Sequence, residues 1–458
     1  MQAEQATEKK SGGFGSKLGF VLAAAGSAVG LGNIWRFPYL AAKYGGGVFL
    51  LIYIILALTF GFALMITEIA LGRRTGKSVI GAYASVNKRF QPLGWLAAAV
   101  PVIITPYYCV IGGWVLKYLT AFATGHGTDA AGDGSFFSGF ISQAGGASVF
   151  FLIFLLLTVL VVMLGVEKGI EAISKILMPV LILLTVGIAV YTLTLDGAAE
   201  GLKYYLLPNL KGFTASQLLK TVAAAMGQLF YSMSLAMGIM VTYGSYMRKE
   251  DSLEQSVRQI EIFDTGIAVL AGMIIVPAVF VFSGGNKEAL QAGPSLMFIT
   301  LPNVFASMKG GQIVGTAFFL LVALAALTSS ISLTETVVSI IMEKFRLKRF
   351  TACLITTLIC VIFGMLSVLG YSAWSEIKII GMQFLDFFDF ISNNIMMPIV
   401  ALLTCILIGW VKGTKFIEEE VLESAKEFKA YALMHIMLRY VCPVCMIIIL
   451  LTPFVTEI

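Results

Sequence analysis

The chain has 458 residues, 58% of them hydrophobic and only 12% charged, with a net charge of +5. A typical soluble domain has about 45–50% apolar and about 25% charged residues. With a mean hydropathy of +0.91, the chain is not disordered, a soluble globular enzyme or a nucleic-acid binder, and a polytopic membrane protein remains.

The inventory of reactive side chains is poor. Two histidines, His126 and His435, lie far apart, and no His/Cys/Asp/Glu cluster has metal-ligand spacing. The six cysteines all sit in apolar segments. Cys442 and Cys445 form a C-x-x-C inside an apolar span, which reads as packing by small residues.

Residues 1–16 form a polar tail without the apolar core of a signal peptide. A spanning helix needs about 20 apolar residues. That ruler gives eleven spans near 17–42, 48–72, 93–122, 148–165, 170–195, 217–245, 257–283, 312–342, 350–370, 378–410 and 431–455. The third, eighth and tenth are long, so they tilt or run on into a loop. Lys9, Lys10, Arg73, Arg74, Lys77, Lys88, Arg89, Arg248, Lys249, Lys344, Arg346, Lys348, Arg349, Lys412 and Lys415 fall at one side of this layout. The longest loop of the other side, about 123–147, has no Lys or Arg. The bias predicts a multi-pass protein of the cell membrane with a cytoplasmic N-terminus and an extracellular C-terminus.

Two spans are not ordinary helices. The first holds three glycines, an asparagine and an arginine between Gly26 and Pro38; the sixth holds two serines and a glycine between Gln228 and Gly238. Glycine weakens a helix by about 1 kcal/mol. Non-helical backbone at membrane depth is tolerated only where protein or a water-filled cavity surrounds it. The two spans open successive groups of five, 1–5 and 6–10, and interrupted segments at corresponding positions of two halves point to a transporter's midplane site. Close packing by small residues explains the glycines alone. It does not explain Asn33 and Arg36, because polar and ionisable groups within a membrane are expensive and usually functional.

The segment GSAVGLGNIWRFP, Gly26 to Pro38, resembles the first helix of the neurotransmitter:sodium symporter family. The likeness continues through Lys43 to Gly47, Thr67 to Gly72, Tyr107-Tyr108, the sixth span and Leu327 to Ser330, and runs from about residue 14 to the end. It implies an all-α, five-plus-five inverted-repeat fold with helices 1 and 6 unwound and eleven transmembrane helices. The division is then 1–16 cytoplasmic tail, 17–195 first repeat, 196–216 extracellular connection, 217–410 second repeat, 411–430 cytoplasmic loop, and 431–458 last helix with its extracellular end. The implied activity is sodium-coupled import of a neutral hydrophobic amino acid by alternating access. The coupling ion is Na+ at two sites, with no organic cofactor; the partners are the amino acid and the lipid bilayer, and not nucleic acid.

Carried onto this sequence, the resemblance places the substrate carboxylate at the half-helix start near Leu31 and Gly32, with the Tyr108 hydroxyl as a further donor. A helix start exposes N–H groups to an anion. The ammonium would meet carbonyls of Ala28, Tyr231 and Ser232 and the Ser234 hydroxyl. Ile104, Tyr231, Met237, Ser329 and Leu333 would wall the side-chain pocket. The first sodium would take Ala28, Asn33, Ser232 and Asp264 together with the substrate carboxylate. The second would take carbonyls of Gly26, Val29 and Ala325 and hydroxyls of Thr328 and Ser329.

Asp264 stands where the better-known pattern has asparagine, and Ala268 where chloride-dependent relatives carry a serine. Tyr53, Gln228 and Ser232, which would face a chloride, are present. A carboxylate already supplies the charge that chloride would bring, so transport is expected to be independent of chloride. The outer gate would pair Arg36 with an acid at the start of span 10. Asp386 and Asp389 are both available, and Asp389 fits the local pattern better. On the inner side Glu343 and Tyr246 match gate residues, whereas Ser11 and Phe14 replace the usual arginine and tryptophan, with Lys9 or Lys10 as substitutes. Gly169 and Pro179 give the G-x9-P spacing that lets the fifth helix unwind in relatives.

Amine-carrying relatives have an aspartate where Gly30 stands, so an α-amino acid with its own carboxylate is expected. Ala236, where many relatives have glycine, favours aliphatic side chains (leucine, isoleucine, valine, methionine) over tryptophan or tyrosine. The alternatives are a sodium-dependent amino-acid sensor and a symporter preferring aromatic amino acids. A channel would present carbonyl or charged rings in an oligomer, and an enzyme would need a catalytic constellation that the chain lacks. Oligomeric state is not readable from the sequence.

Overall fold

The computed structural model describes residues 13–211, 213–282 and 294–455. These residues form helices and no strand; the only β-type pairing among them is an isolated bridge between Ile379 and Met382.

Nine helices among the described residues are long and apolar enough to cross a membrane. Helices α1 (Lys17–Ala28) and α2 (Gly32–Lys43) add a tenth span as a pair bent by 54°. The chain continues with α3 (Gly47–Thr75), α4 (Lys88–Ala123), α5 (Ala144–Met163) and α6 (Val166–Leu193). The sixth expected span is two helices, α7 (Ala215–Ser232) and α8 (Ile239–Tyr246), separated by residues 233–238. Then come α9 (Leu253–Phe282), α10 (Gly311–Phe345), α11 (Arg349–Gly370), α12 (Phe384–Lys412) and α13 (Tyr431–Thr452).

Helices α4 and α10 share the most extensive contact and form the centre of the bundle. At 36 and 35 residues and about 1.5 Å per residue they run to about 50 Å, well beyond a hydrocarbon core of about 30 Å. Their surplus length agrees with the long third and eighth spans, which tilt or run on past the bilayer. The twelfth helix is shorter than its expected span: residues 378–383 form the turn that holds the isolated bridge. Shorter helices were not marked by the apolar ruler, among them Val79–Val86, Ala198–Leu206, Leu296–Ser307 and Lys415–Leu422.

The polarity is inverted relative to a soluble protein. Helix α5 turns Leu152, Ile153, Leu156, Leu157 and Leu160 outward, while Asn33, Glu68, Asp264 and Glu335 are buried between helices. All six cysteines are buried free thiols, as packing residues would be.

Polar side chains tie the ends. Ser16 caps α1, accepting from the Gly19 amide at 3.0 Å. Thr214 and Gln217 form a reciprocal capping box at the start of α7, satisfying two amides that a helix start leaves free. Helix Lys415–Leu422 is held by the buried pair Arg73–Glu420 (2.7 Å), which Lys249 also joins at 2.7 Å.

Candidate functional site

The two breaks meet. Helix α1 ends where Val29 turns extended (φ −73°, ψ 94°). Between α7 and α8 the backbone turns left-handed at Ser234 (φ 54°), Ala236 (φ 58°) and Gly238 (φ 74°). That conformation costs a side-chain-bearing residue about 1–2 kcal/mol, so Ala236 brings strain to the break. Hydrogen bonds hold it in place: the Ser234 hydroxyl donates to the Ser27 carbonyl (2.9 Å), and the Ala236 amide donates to Glu68 Oε1 (2.7 Å).

A cavity of about 30 Å3 lies between the breaks. All eleven residues expected around the substrate border it: Ala28, Leu31, Gly32, Ile104, Tyr108, Tyr231, Ser232, Ser234, Met237, Ser329 and Leu333. Ser27, Gly30, Asn33 and Ile239 complete the lining, and none of the fifteen is charged. One wall is polar. The Leu31 amide donates to the Tyr108 hydroxyl at 3.3 Å, and a hydroxyl that accepts retains a proton to donate to an anion. The other wall is apolar, built by Ile104, Met237, Ile239 and Leu333. A Cβ on Gly30 would lie 2.8 Å from Ser329 Oγ and 3.0 Å from the Tyr108 hydroxyl, so a side chain there would displace one of these polar groups.

The residues of the first expected sodium cage converge beside this cavity. Asp264 is fully buried on α9. Its Oδ1 accepts from the Asn33 amide at 2.7 Å, and its Oδ2 accepts from the hydroxyls of Tyr53 and Ser232, both at 3.5 Å. Those hydroxyls are 2.9 Å apart. Asn33 Oδ1 in turn accepts from the Gly30 amide at 3.2 Å, linking the helix break to the acid. A buried carboxylate surrounded by neutral donors is under-compensated, and a cation among these oxygens would offset its lost hydration. Ala268, one turn further on, is buried and has no hydroxyl to add. Gln228 is directed elsewhere, donating to the Gly32 carbonyl at 2.9 Å.

The second expected cage is assembled from neutral oxygens. Ser329 Oγ donates toward the carbonyls of Ser27 (3.0 Å), Gly26 (3.4 Å) and Val29 (3.4 Å). Thr328 Oγ1 donates to the Ala325 carbonyl at 3.0 Å. The hydroxyls thus bond both to their own helix and across to α1.

The gates are arranged less simply. Arg36 makes no ion pair within 4.0 Å among the described residues; its guanidinium lies over the Tyr231 ring, 5.4 Å from the centroid. Asp389 accepts from Asn393 (2.6 Å) and the Tyr107 hydroxyl (3.1 Å). Asp386 is exposed and accepts from Tyr371 at 2.9 Å. Of the two candidate acids, Asp389 is the one turned into the bundle.

At the opposite end Tyr246 and Glu343 are not brought together. Tyr246 donates to Glu335 at 2.8 Å, and Glu335 is held by both arms of Arg349 (2.6 and 2.8 Å). Glu343 instead accepts from the backbone amide of Ser78, at the start of helix Val79–Val86. Its carboxylate complements that helix start, which a family match at one position cannot reveal. Lys9, Lys10 and Ser11 lie outside the described residues. Phe14 is buried edge-on against Phe20, Tyr243 and Tyr246. The adjoining segment is latched to α6, where Glu171 accepts from the Gly15 amide and the Ser16 hydroxyl, both at 2.6 Å. Between Gly169 and Pro179 the chain passes from a wide π-turn (Val166–Glu171) into regular helix.

Glu68, Glu335 and Arg349 were not assigned roles from the sequence. A signal for two of them was present: Ser329, Ser332, Glu335, Thr336, Ser339 and Glu343 recur every three or four residues, a polar stripe down one apolar helix. Glu68 is an acid in an otherwise apolar span.

A model of the sodium:neurotransmitter symporter family matches residues 11–127 and 136–457. The chain is 35% identical over 450 residues to an uncharacterized sodium-dependent transporter, YhdH, of Bacillus subtilis, covering 97% of this chain and 98% of that one. It is 32% identical over 411 residues to an uncharacterized sodium-dependent transporter of Haemophilus influenzae, covering 86% and 88%. The crystal structure of MhsT in complex with L-phenylalanine superposes with a TM-score of 0.85 at 36% identity, covering 96% of this chain and 99% of that one.

Proposed function

This chain belongs to the sodium:neurotransmitter symporter family, a family of membrane transporters, and we propose that it imports a neutral hydrophobic amino acid together with two sodium ions. The observation that carries this reading is the cavity between the two helix breaks, bordered by a donor-rich wall, an apolar wall and no charge, with buried Asp264 beside it.

The substrate carboxylate would meet the Leu31 and Gly32 amides and the Tyr108 hydroxyl, where a half-helix start favours an anion. The ammonium would meet Ala28, Tyr231, Ser232 and Ser234. A sodium ion among Ala28, Asn33, Ser232, Asp264 and the substrate carboxylate would make ion and amino acid each raise the other's affinity, because the two binding free energies are linked. A second sodium at Gly26, Val29, Ala325, Thr328 and Ser329 would hold α1 against α10. Asp264 engages both Tyr53 and Ser232, which supports chloride-independent transport: the hydroxyls that would face a chloride already face a carboxylate.

Residues 17–195 and 217–410 would act as the two inverted repeats, with the N-terminus cytoplasmic and the C-terminus extracellular. Substrate binding would draw Arg36 toward Asp389 and close the outer side. Inner closure would rest on Tyr246, Glu335 and Arg349 with Phe14 packed over them. Glu343 would serve the same end by holding the Val79–Val86 helix.

Aliphatic cargo is favoured by the strained Ala236, which limits how far the 233–238 stretch can retreat from a bulky ring. Each buried methylene contributes about 0.8 kcal/mol, so leucine should outcompete alanine and glycine. A second reading, aromatic cargo, is favoured by the L-phenylalanine held in the structure of MhsT. Competition of labelled leucine uptake by the twenty amino acids, in proteoliposomes, decides between them. Strongest competition by leucine, isoleucine, valine or methionine supports the first reading, and by tryptophan, tyrosine or phenylalanine the second. Strongest competition by lysine or glutamate removes both.

A further inference from the structure

A second, larger cavity of about 630 Å3 opens where the end of α2, the helix Ala198–Leu206 and the start of α7 come together. Gly45 borders it, in a turn where Gly45 and Gly46 have φ of +96° and +56°. A Cβ on Gly46 would lie 2.1 Å from the Tyr204 carbonyl, and one on Gly45 2.4 Å from the Phe213 ring. The turn beside the cavity therefore has to be bare backbone. Its walls are tied together: the Tyr204 hydroxyl donates to the Ala42 carbonyl at 2.6 Å, and the Thr221 hydroxyl to the Tyr44 carbonyl at 3.2 Å.

Three ammonium groups border this cavity, those of Lys43, Lys203 and Lys220, and no acid does. None of the three forms an ion pair among the described residues. Lys43 is steered by the Tyr39 hydroxyl at 2.9 Å and lies over the Tyr39 and Tyr44 rings. The cluster sits at the end of the bundle that is otherwise poor in Lys and Arg. Immediately beside it Leu207, Leu210, Leu218 and Leu219 are exposed. Cations around a roomy pocket, next to an apolar outer surface, match a ligand with a polyanionic head and apolar tails. The space is far larger than a halide requires, and lysines bind phosphate as point charges with three donors each.

We propose that this cavity holds the headgroup phosphate of an anionic phospholipid, whose chains lie along the exposed leucines. The site joins the ends of α2 and α7, which are the outer halves of the two broken spans. A lipid seated there braces them against one another. The proposal does not depend on which amino acid or how many sodium ions are carried.

The test is native mass spectrometry of the purified full chain after titration with phosphatidylglycerol in a phosphatidylcholine background. The wild type should retain one phosphatidylglycerol under activation that strips phosphatidylcholine, and a Lys43→Gln, Lys203→Gln, Lys220→Gln variant should lose it. All three lysines are exposed, and an unchanged size-exclusion profile shows that the variant is folded. A variant with the same loss of charge elsewhere, Lys348→Gln, Lys412→Gln, Lys415→Gln, should keep the lipid. Equal retention by the wild type and the first variant, or equal loss by both variants, overturns the site. Thermal protection of the wild type by inorganic phosphate in phosphatidylcholine alone, matching that by phosphatidylglycerol, overturns the lipid in favour of a free anion.

Discussion

The residues read as two sodium cages are built on different principles. The first centres on Asp264, a buried carboxylate held by Asn33, Tyr53 and Ser232. The second has only carbonyls and the hydroxyls of Thr328 and Ser329, which already donate to the backbone carbonyls of Ala325 and Ser27. A charged cage stores a need for a cation, because the carboxylate stays under-compensated without one. A neutral cage stores geometry: it is complete when α1 and α10 stand together and comes apart when they separate. As sodium sites the two would have different duties, the first coupling ion to substrate and the second coupling ion to helix position.

The largest expected effect is at the charged cage. Asp264→Ala or Asn33→Ala removes hydrogen bonds to a charged group, each about 1.5–3 kcal/mol. Sodium-dependent substrate binding should weaken roughly ten- to a hundredfold. Binding at wild-type strength in either variant would erase the distinction between the cages. At the neutral cage, Thr328→Val removes one hydroxyl, about 0.5–1.5 kcal/mol. The sodium concentration for half-maximal binding should rise only about two- to tenfold, and a larger rise than for Asp264→Ala would reverse the assignment.

Arg36→Ala removes a cation that lies over Tyr231, a contact of about 0.5–1 kcal/mol at an exposed site. Uptake should fall about two- to fivefold if that contact alone is lost, and further if pairing with Asp389 also forms in the transport cycle. Normal transport by the variant would remove Arg36 from the outer gate. The smallest expected effect is none: replacing chloride by gluconate at constant sodium should leave initial uptake unchanged. A large fall would mean that the Asp264 carboxylate does not stand in for chloride.

The sequence made the breaks visible because glycine, asparagine and arginine are conspicuous in apolar spans. The two cages and the lining of the cavity came from the resemblance, and the structure brings the eleven residues expected around the substrate to one cavity between the breaks. What stayed hidden depends on contacts between distant segments. Nothing near Tyr246 in sequence announces Glu335, which reaches it from α10 together with Arg349 on α11. Glu343 matched a gate position, yet the local demand of a helix start at Ser78 claims it. Glu68 braces the 233–238 stretch from a span read only as an apolar helix. Short helices such as Ala198–Leu206 escaped because an apolar ruler of about 20 residues passes over them.

Sodium coupling itself is most directly tested by uptake of labelled leucine into proteoliposomes under an inward sodium gradient, compared with the same gradient of potassium. The account predicts saturable accumulation with sodium and only background with potassium. Full accumulation with potassium in place of sodium would contradict it.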